Sequence, residues 1–353
     1  MTGHRPLHQP RTPPNRPSAA SRATALLNLM AGSWISQAIS VAAKLGVADL
    51  LEDGARSCGE LAEATKTHPD TLYRVMRALA SVGIFAEDES GRFELTPLAE
   101  NLRTNASASL REYAIFLGEQ WHWHAWGDLF HCVQTGESAF EHVFGMHMFD
   151  YFAQHPDAAQ VFGAAMTSRS RLEDRAIAEA YDFPRGTTIV DVGAGRGSLI
   201  VTILQQTPGA RGILFDLPHV MAGSAALLRE ARLANRCQFV AGDFFNEVPP
   251  GGDIYLMKKV IHDWDDERAG SILTNCRAGM GANGRLLLLE HVIRPGNAPA
   301  FAKLLDLQML VQTPGGRERT EAEYSTLLAA SGLQLARIIP TKCPLSIIEA
   351  LPS

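Results

Sequence analysis

Short apolar runs alternate with longer helical segments in the second half of the chain, and this alternation constrains the fold most. After Pro184 the runs are TTIVDV, RGILFD, CQFVA, DIYLMKK and GRLLLLE, rich in aliphatic and β-branched residues. Strands separated by helices predict a parallel sheet covered on both faces, that is, a doubly wound α/β fold. The final segment, GLQLARIIPTKCPLSIIEA, predicts two more strands that form a hairpin at the sheet edge.

The first half of the chain predicts different structures, and 353 residues are enough for more than one domain. Residues 1–18 are rich in Pro and Arg and predict a disordered tail. In residues 19–104, helical spacing is followed by two short helices and a strand, the order of a winged helix. Residues 105–180 are helical, aromatic and Met-rich, which suits a linker that lines a pocket for a flat organic ligand. Residues 181–353 then form the α/β domain.

Charge and cysteine usage limit the partners and the compartment. The net charge of −6 argues against general nucleic-acid binding, which needs a basic surface. The winged-helix pattern leaves DNA binding as an alternative, although Arg74 and Arg77 share their helix with Asp70. The five cysteines are scattered and form no CxxC pair, which is typical of a reduced, cytoplasmic protein. We expect no membrane association, because the sequence shows neither a long apolar span nor the apolar core of a signal peptide.

A group of histidines in the helical linker raises the question of a metal site. Their spacings match no simple ligand motif, so we expect packing or surface roles and no bound metal. The acids of the later HDWDD motif also suit the start of a helix better than a metal site. The linker histidines are His122, His124, His131, His142 and His147.

The loop after the first strand of the α/β domain contains Gly193, Gly195 and Gly197. Such a loop lets a ligand approach bare backbone at the start of a helix, but the GxGxG spacing differs from the GxGxxG of nicotinamide-binding proteins. Asp216, at the end of the next strand, suits a ribose diol. After the third strand comes Asp243, which is placed to accept from an adenine amino group, with an aromatic ring beside it. Ligands collect at this edge of a doubly wound sheet.

Five motifs together resemble a known family, in order and at family-like spacing: DVGAGRGSL, FDLPHV, GDFF, MKKVIHDWDDE and GGRERT. The chain resembles, over roughly residues 20–350, the class I S-adenosylmethionine-dependent small-molecule O-methyltransferases. These include the plant caffeate, isoflavone and hydroxyindole enzymes and bacterial secondary-metabolite relatives. The resemblance implies a Rossmann-like methyltransferase sheet, a dimerising N-terminal domain, a homodimer, S-adenosylmethionine as cofactor and a hydroxylated aromatic substrate.

The resemblance also implies positions for the cofactor. Gly193 and Gly195 would approach its methionine part, and Asp216 and Leu217 would hold the ribose.

Asp243 and Phe244 would face the adenine, and Lys258 and Ser170 would lie near the cofactor.

His262 is the expected catalytic residue. A hydroxyl group attacks a methyl donor well only after it loses its proton, and neutral imidazole is a natural base because its unperturbed pKa is about 6.5. The resemblance implies that Glu290 and Glu318 orient the ring and stabilise its charge. We expect the four acids after His262 to begin the following helix: Asp263, Asp265, Asp266 and Glu267.

On the acceptor side, the resemblance places Phe162, Met166 and Met309 around the substrate ring. Three nearby tryptophans are interpreted as helix core rather than pocket: Trp121, Trp123 and Trp126. Thr313 stands where plant members have Asn, so the plant-type polar contact to the acceptor is not expected. Two alternatives to methyl transfer stay open: use of the cofactor as a scaffold for decarboxylation, hydroxylation or ring formation, and a winged-helix DNA-binding regulator.

Overall fold

The structure is a computed structural model that describes residues 19–218, 220–221 and 224–353. The predicted disordered tail, residues 1–18, lies outside the described residues. The N-terminal segment holds five helices and three short strands. They are α1 (Ala19–Met30), α2 (Gly32–Leu45), α3 (Val47–Leu50), β1 (Arg56–Ser57), α4 (Cys58–Thr65), α5 (Pro69–Ser81), β2 (Phe85–Glu87) and β3 (Arg92–Leu95).

The three strands form an antiparallel sheet in the order β1-β3-β2. Helix α4 begins with a capping box, in which Ser57 and Glu60 satisfy each other's backbone N–H groups. Leu61, Met76 and Phe93 are fully buried and join the helices to the sheet. Two helices followed by a hairpin agree with the predicted order of elements, while the assignment as a winged helix stays a prediction.

A run of helices links this segment to the α/β domain, as the sequence predicts. They are α6 (Arg111–Leu117), α7 (Gln120–Gly127), α8 (Leu129–Thr135), α9 (Ala139–Phe144), α10 (Met148–Gln154) and α11 (Pro156–Ala180). Their aromatic side chains form one cluster, in which the rings of Trp121 and Phe152 lie 5.2 Å apart and those of Phe152 and Phe162 4.8 Å apart. The 25-residue helix α11 carries this cluster to the α/β domain, because it packs on both α6 and α12.

The α/β domain contains the remaining strands and helices. They are β4 (Thr188–Val192), α12 (Ser198–Gln206), β5 (Arg211–Asp216), α13 (Ser224–Glu230), β6 (Cys237–Ala241), β7 (Ile254–Lys258), α14 (Asp266–Gly279), β8 (Arg285–Glu290), β9 (Val292–Ile293), α15 (Phe301–Gln312), β10 (Arg319–Thr320), α16 (Glu321–Ala330), β11 (Leu333–Pro340) and β12 (Ser346–Pro352).

Seven strands form the main sheet in the order β11-β12-β8-β7-β4-β5-β6. The five strands from β8 to β6 are parallel, and β12 runs antiparallel to its neighbours β8 and β11. The doubly wound sheet is confirmed, and the predicted hairpin at its edge is β11–β12. Both faces are covered, because Ile189 packs into one core while Val190 and Val192 of the same strand pack into the other. The order reverses at β4, between β5 and β7, and there a crevice opens outside the carboxyl ends of the strands.

Helices α1 and α2 leave a large apolar surface uncovered. Leu29 and Trp34 are 78% and 76% exposed. By length and composition the segment Ala20–Leu45 is able to cross a membrane, with a mean hydropathy of 1.3 and only 11% of its most apolar stretch buried. The expectation that no such stretch exists was therefore wrong. A helix that a second subunit covers has the same composition, so this property does not establish a membrane span.

Candidate active site

The glycine loop after β4 lies at the point where the strand order reverses. Gly193, Gly195 and Gly197 all have positive φ, between 58° and 82°. A Cβ atom on Gly193 would lie 2.7 Å from Val260 Cγ2, and one on Gly197 would collide with Leu214. A Cβ atom on Gly195 would meet nothing within 4 Å. Two of the glycines are therefore needed for packing, and Gly195 faces open space where a ligand can reach the backbone.

Asp216, at the end of β5, is tied to this loop. Its Oδ2 atom accepts a hydrogen bond from the Gly195 N–H at 2.8 Å, and its Oδ1 atom accepts one from the Leu217 N–H at 2.7 Å. These bonds fix the carboxylate at the mouth of the crevice, and the Leu217 side chain beside it is 40% exposed. Asp216 and Leu217, which were predicted to hold the ribose of the cofactor, thus lie beside the glycine loop that was predicted to approach its methionine part.

The third strand brings Asp243 and Phe244 to the same edge. A Cβ atom on Gly193 would lie 3.8 Å from Phe244 Cε1. Asp243 Oδ1 accepts from the Phe245 N–H at 2.9 Å, and this local turn fixes the direction of the carboxylate. Asn275 was not predicted as a site residue. Its side-chain amide donates to the carbonyl oxygens of Phe244 and Phe245 at 2.9 Å and anchors this turn.

Asp191 is a further acidic group of this crevice that was not predicted from the sequence. It lies on β4, two residues before the first loop glycine, and is 2% exposed. Its Oδ2 atom has no hydrogen-bond partner among the described residues. Burial raises its pKa to about 7, and nearby Lys258 opposes that rise. A buried carboxylate with one unsatisfied oxygen, on the strand that leads into the glycine loop, suits a cationic ligand group such as an ammonium.

Lys258 and Ser170, predicted from distant parts of the chain, are in contact. Lys258 Nζ donates to Ser170 Oγ at 2.9 Å and also to Asp174. Glu173 lies on the same side of α11, and its Oε2 atom is 2.9 Å from Lys259 Nζ. Burial raises the pKa of Glu173, but the surrounding cations outweigh it and lower the pKa overall. The acids three and four residues after Ser170 were recognisable from helical spacing.

His262 lies in a short 3₁₀ turn, Ile261–Asp263, after β7. Glu290, the last residue of β8, holds this turn because its Oε1 atom accepts from the N–H groups of Val260 and Ile261, at 3.1 and 3.0 Å. Glu318 arrives from a third element, since β10 pairs in parallel with β9, which follows Glu290. His262 Nδ1 lies 2.8 Å from Glu318 Oε1 and 3.9 Å from Glu290 Oε2. The three predicted catalytic residues are therefore brought together.

These acids control the charge of the histidine. Burial lowers the pKa of His262, but the carboxylates of Glu290, Asp263 and Glu318 outweigh burial and raise the pKa to about 10. Burial raises the pKa of Glu290 to about 7, against the opposing effect of His262. With Nδ1–H directed at Glu318, the Nε2 atom is the one available to take a proton from a ligand.

One of the four acids after His262 does not behave as predicted. Asp265 caps α14, and Asp266 and Glu267 lie in its first turn, as expected. Asp263 instead lies beside the histidine, with Oδ1 3.5 Å from His262 Nε2. The reason is the 3₁₀ turn, which holds Asp263 before the helix begins.

The predicted acceptor residues lie on α11 and α15. Phe162 and Met166 pack against the aromatic cluster of the linker, and Met309 is 8% exposed on α15. Thr313 Oγ1 donates to the Met309 carbonyl at 2.8 Å, so its hydroxyl is used inside the protein.

Comparisons with known proteins identify the family. A model of the O-methyltransferase domain matches residues 126–334, and a model of the O-methyltransferase dimerisation domain matches residues 27–105. The phenazine O-methyltransferase PhzM of Lysobacter antibioticus is 47% identical over 338 residues, which span 96% of this chain and 98% of that protein. The chain belongs to the O-methyltransferase family.

Solved structures agree with this assignment. The mitomycin 7-O-methyltransferase MmcR has a TM-score of 0.86 at 38% identity, over 95% of this chain and 100% of that one. NcsB1, an O-methyltransferase from neocarzinostatin biosynthesis in complex with S-adenosylmethionine and 2-hydroxy-5-methyl naphthoic acid, has a TM-score of 0.77 at 31% identity. This match covers 90% of this chain and 96% of that one. The predicted family, α/β fold, enzyme class and S-adenosylmethionine cofactor are confirmed.

The histidines and tryptophans of this O-methyltransferase separate into groups that the sequence could not distinguish. Trp121 is buried in the aromatic cluster and Trp126 packs against it, as expected, while Trp123 and Trp126 also line a cavity. Side chains that could together hold a metal ion are found in two places of the described structure, Asp128–His131–His142 and His262–Glu290–Glu318. Helices α8 and α9 bring His131 and His142 into a ring stack at 3.8 Å, a packing contact, and the absence of a metal at the linker histidines stays a prediction.

Proposed function

We propose that this O-methyltransferase methylates a hydroxyl group of a flat, polycyclic aromatic metabolite, with His262 as the general base. The observation that carries the proposal is the buried histidine held between two glutamates at the mouth of the cofactor crevice. The 47% identical phenazine O-methyltransferase supports a fused-ring acceptor. Residues 105–180 would contribute the pocket, and residues 181–353 would hold the cofactor.

The crevice residues suit S-adenosylmethionine. Bound there, the cofactor supplies an electrophilic methyl group. Gly195 would let its methionine part approach the backbone, and Asp191 would pair with its ammonium group. The open space at Gly195 and the unsatisfied Asp191 oxygen support these two roles. Asp216 and Leu217 would hold the ribose, and the GDFF turn would cover the adenine.

The acidic partners of His262 suit a base that removes a phenolic proton. Their charges raise its pKa to about 10, so the imidazolium that forms on proton transfer is stabilised, while below that pH only the unprotonated fraction of the ring acts as the base. Glu318 would keep the Nδ1–H in place, and Glu290 would hold the turn that carries the ring. The alternative that the sequence left open, in which the cofactor serves only as a scaffold for other chemistry, does not require this base and its two glutamates.

The enzyme would act as a cytoplasmic homodimer without nucleic-acid or membrane partners. The dimerisation-domain match over residues 27–105 and the uncovered apolar side chains of α1 and α2 support the dimer. Five cysteines without a disulfide support a reducing compartment.

The test is methyl transfer from methyl-labelled S-adenosylmethionine to a panel of hydroxylated phenazines, naphthoates and quinones, followed by mass spectrometry. His262→Ala is compared with His142→Ala, which removes an exposed histidine far from the glutamates. We expect labelled product from the wild type and the control, and a loss of about 10²- to 10⁴-fold in kcat for His262→Ala at unchanged cofactor affinity. Equal labelling by both variants would reject His262 as the base.

A further inference from the structure

Arg169 on α11 is a cation that the sites assigned above make no use of. Phe162, Met166 and Arg169 follow one another at spacings of four and three residues, so they share one face of this helix. The first two are predicted acceptor residues. The residue after Arg169 is Ser170, whose hydroxyl accepts from Lys258 Nζ beside the cofactor crevice. Arg169 therefore lies on α11 between the acceptor residues and the cofactor residues.

Two aromatic rings hold the guanidinium group of Arg169. Its Cζ atom lies 5.0 Å from the centre of the Tyr113 ring, on α6, and 5.4 Å from that of Phe301, the first residue of α15. The side chain of Arg169 is 11% exposed. A guanidinium group stacks on ring faces by cation–π attraction, and its five N–H donors then point outward from its edge. The rings thus fix the direction in which these donors point.

Arg169 has no carboxylate of its own. Its Nη2 atom donates to Glu173 Oε1 at 3.4 Å, but the Oε2 atom of the same carboxylate is 2.9 Å from Lys259 Nζ. Lys258 is paired with Asp174. Three cations therefore share two carboxylates at this end of α11. Within the described ranges, the long contact with Glu173 is the only hydrogen bond of the guanidinium, so most of its donors are left for a ligand.

Arg169 and the catalytic base lie near the same buried ring, that of His291. This histidine directly follows the glutamate that ends β8, and its ring lies 5.8 Å from that of Phe301, on which Arg169 packs. Burial lowers the pKa of His291 to about 4, and the charges of Arg169 and His262 add to this effect while Glu318 opposes it. A group bound at Arg169 and a hydroxyl bound at His262 can therefore belong to one small molecule.

We infer that Arg169 binds a carboxylate group of the acceptor, so that the enzyme selects hydroxylated polycyclic aromatic acids. A carboxylate matches the planar fork of guanidinium donors and supplies the negative charge that the three cations need. A neutral acceptor would cover the guanidinium and leave its donors without partners, which weakens binding. The inference rests on the proposed function, because it names a substituent of the same substrate. Arg169 takes no part in proton removal.

The test compares aromatic acids with their own carboxamides, which have the same shape and no charge. The probes are 6-hydroxy-2-naphthoic acid and 6-hydroxy-1-naphthoic acid, which carry the carboxylate at two positions of the ring that lacks the hydroxyl group. The full-length enzyme should prefer at least one acid over its amide by about 10²-fold in kcat/KM, as expected for a desolvated charge pair.

Three variants define the role of the guanidinium. Arg169→Gln should reduce the preference to near equality and leave kcat/KM for the amide within about threefold of wild type, which shows that the variant is folded. Arg169→Lys keeps the charge without the planar fork and should retain part of the preference. The matched control is Arg175→Gln, because Arg175 makes the same contact with a glutamate four residues later but is 81% exposed. It should retain the full preference.

Binding measurements separate this inference from the proposed function. Calorimetry in the presence of S-adenosylhomocysteine gives the affinity for each acid and amide, whether or not it is methylated. Tighter binding of an acid that depends on Arg169, without methyl transfer, would support the inference and count against the proposed reaction. Methyl transfer to acids and amides at equal rates would overturn the inference and leave the proposed function intact. Equal affinities, no binding of either acid, or a preference that survives in Arg169→Gln would also overturn it.

Discussion

His262 Nδ1 lies 2.8 Å from Glu318 Oε1, although 56 residues separate them in the chain. The contact depends on the parallel pairing of β9 with β10, which places Glu318 beside the end of β8. Glu318 itself is held by Asp306, whose Oδ1 atom accepts the Glu318 N–H at 2.9 Å. The carboxylate therefore approaches the ring from a fixed direction and determines which ring nitrogen is free.

Glu318→Gln should lower kcat more than it lowers acceptor affinity. The amide can still contact Nδ1, but it removes the negative charge that stabilises the imidazolium and permits the wrong tautomer. We expect a loss of about 10²-fold or more in kcat, with KM for the acceptor within about threefold of wild type. Glu323→Gln, a capping residue of the neighbouring α16, is the control. A loss of affinity at unchanged kcat would count against an orienting role.

The pH dependence of turnover should reveal the acids around His262. With a pKa raised to about 10, the ring is protonated at neutral pH, so kcat/KM for a phenol should rise with pH and level off near pH 10. Glu290→Gln removes one of the charges that raise this pKa and should move the midpoint to lower pH. An identical midpoint in Glu290→Gln, in rate profiles from pH 6 to 11, would contradict this account of the charge.

Gly195 and Gly197 face different surroundings, so their substitution should affect different properties of the protein. Each has positive φ, so alanine at either position costs about 1–2 kcal/mol of stability. Gly197→Ala also drives a methyl group into Leu214 and should lower the melting temperature further. Gly195→Ala meets no protein atom, and its main effect should be weaker binding of S-adenosylhomocysteine by calorimetry. Equal cofactor affinity in wild type and Gly195→Ala would show that the cofactor does not approach this glycine.

The sheet and its ligand edge were predictable because both depend on local patterns. Apolar runs end at Gly193, Asp216 and Asp243, and the carboxyl ends of parallel strands meet at one edge whatever the details of the helices. The pair Lys258–Ser170 was predictable only through the family resemblance, since 88 residues separate its members.

Other features depended on tertiary contacts that no local pattern indicates. Asp263 was expected in a helix, but a 3₁₀ turn held by Glu290 places it beside the base. The rings that hold the Arg169 guanidinium belong to α6 and α15, which are distant from this residue in the chain. The apolar helices at the N-terminus were predicted as helices, but their spacing shows an apolar face without showing what covers it.

Lys258→Met should destabilise the protein as well as the cofactor site. The lysine lies against Ser170 and Asp174, and its removal leaves a buried carboxylate without its cation. Loss of one partner of such a pair costs about 3–5 kcal/mol. Ser170→Ala removes only a hydroxyl group and should cost about 1 kcal/mol. Urea unfolding at pH 7.5 measures both, and equal stability of the two variants would contradict the assigned charge pairing.

The stability of the protein should change little from pH 5 to 6.5 and fall above pH 6.5, because two sets of buried groups oppose each other. The pKa values of His262, Glu290 and Asp191 are raised, to about 10, about 7 and about 7, so the folded state retains their protons. Their contribution is complete at low pH and is lost as pH rises through 7 and 10. The pKa values of His122 and His291 are lowered to about 4 by burial, so the contribution of these rings is present above pH 6.5 and is lost below it.

Urea unfolding at pH 5, 6.5 and 9 tests this balance. We expect similar free energies of unfolding at pH 5 and 6.5, where the two sets nearly cancel, and a lower value at pH 9, where the folded state binds more protons than the unfolded state. His122→Gln should raise the stability at pH 5 relative to that at pH 6.5, because glutamine does not titrate. His68→Gln, at an exposed position before α5, should leave the pH profile unchanged. A stability that rises steadily from pH 5 to 9 would show that the charge of His262 is not stabilised by its acidic neighbours in the folded protein.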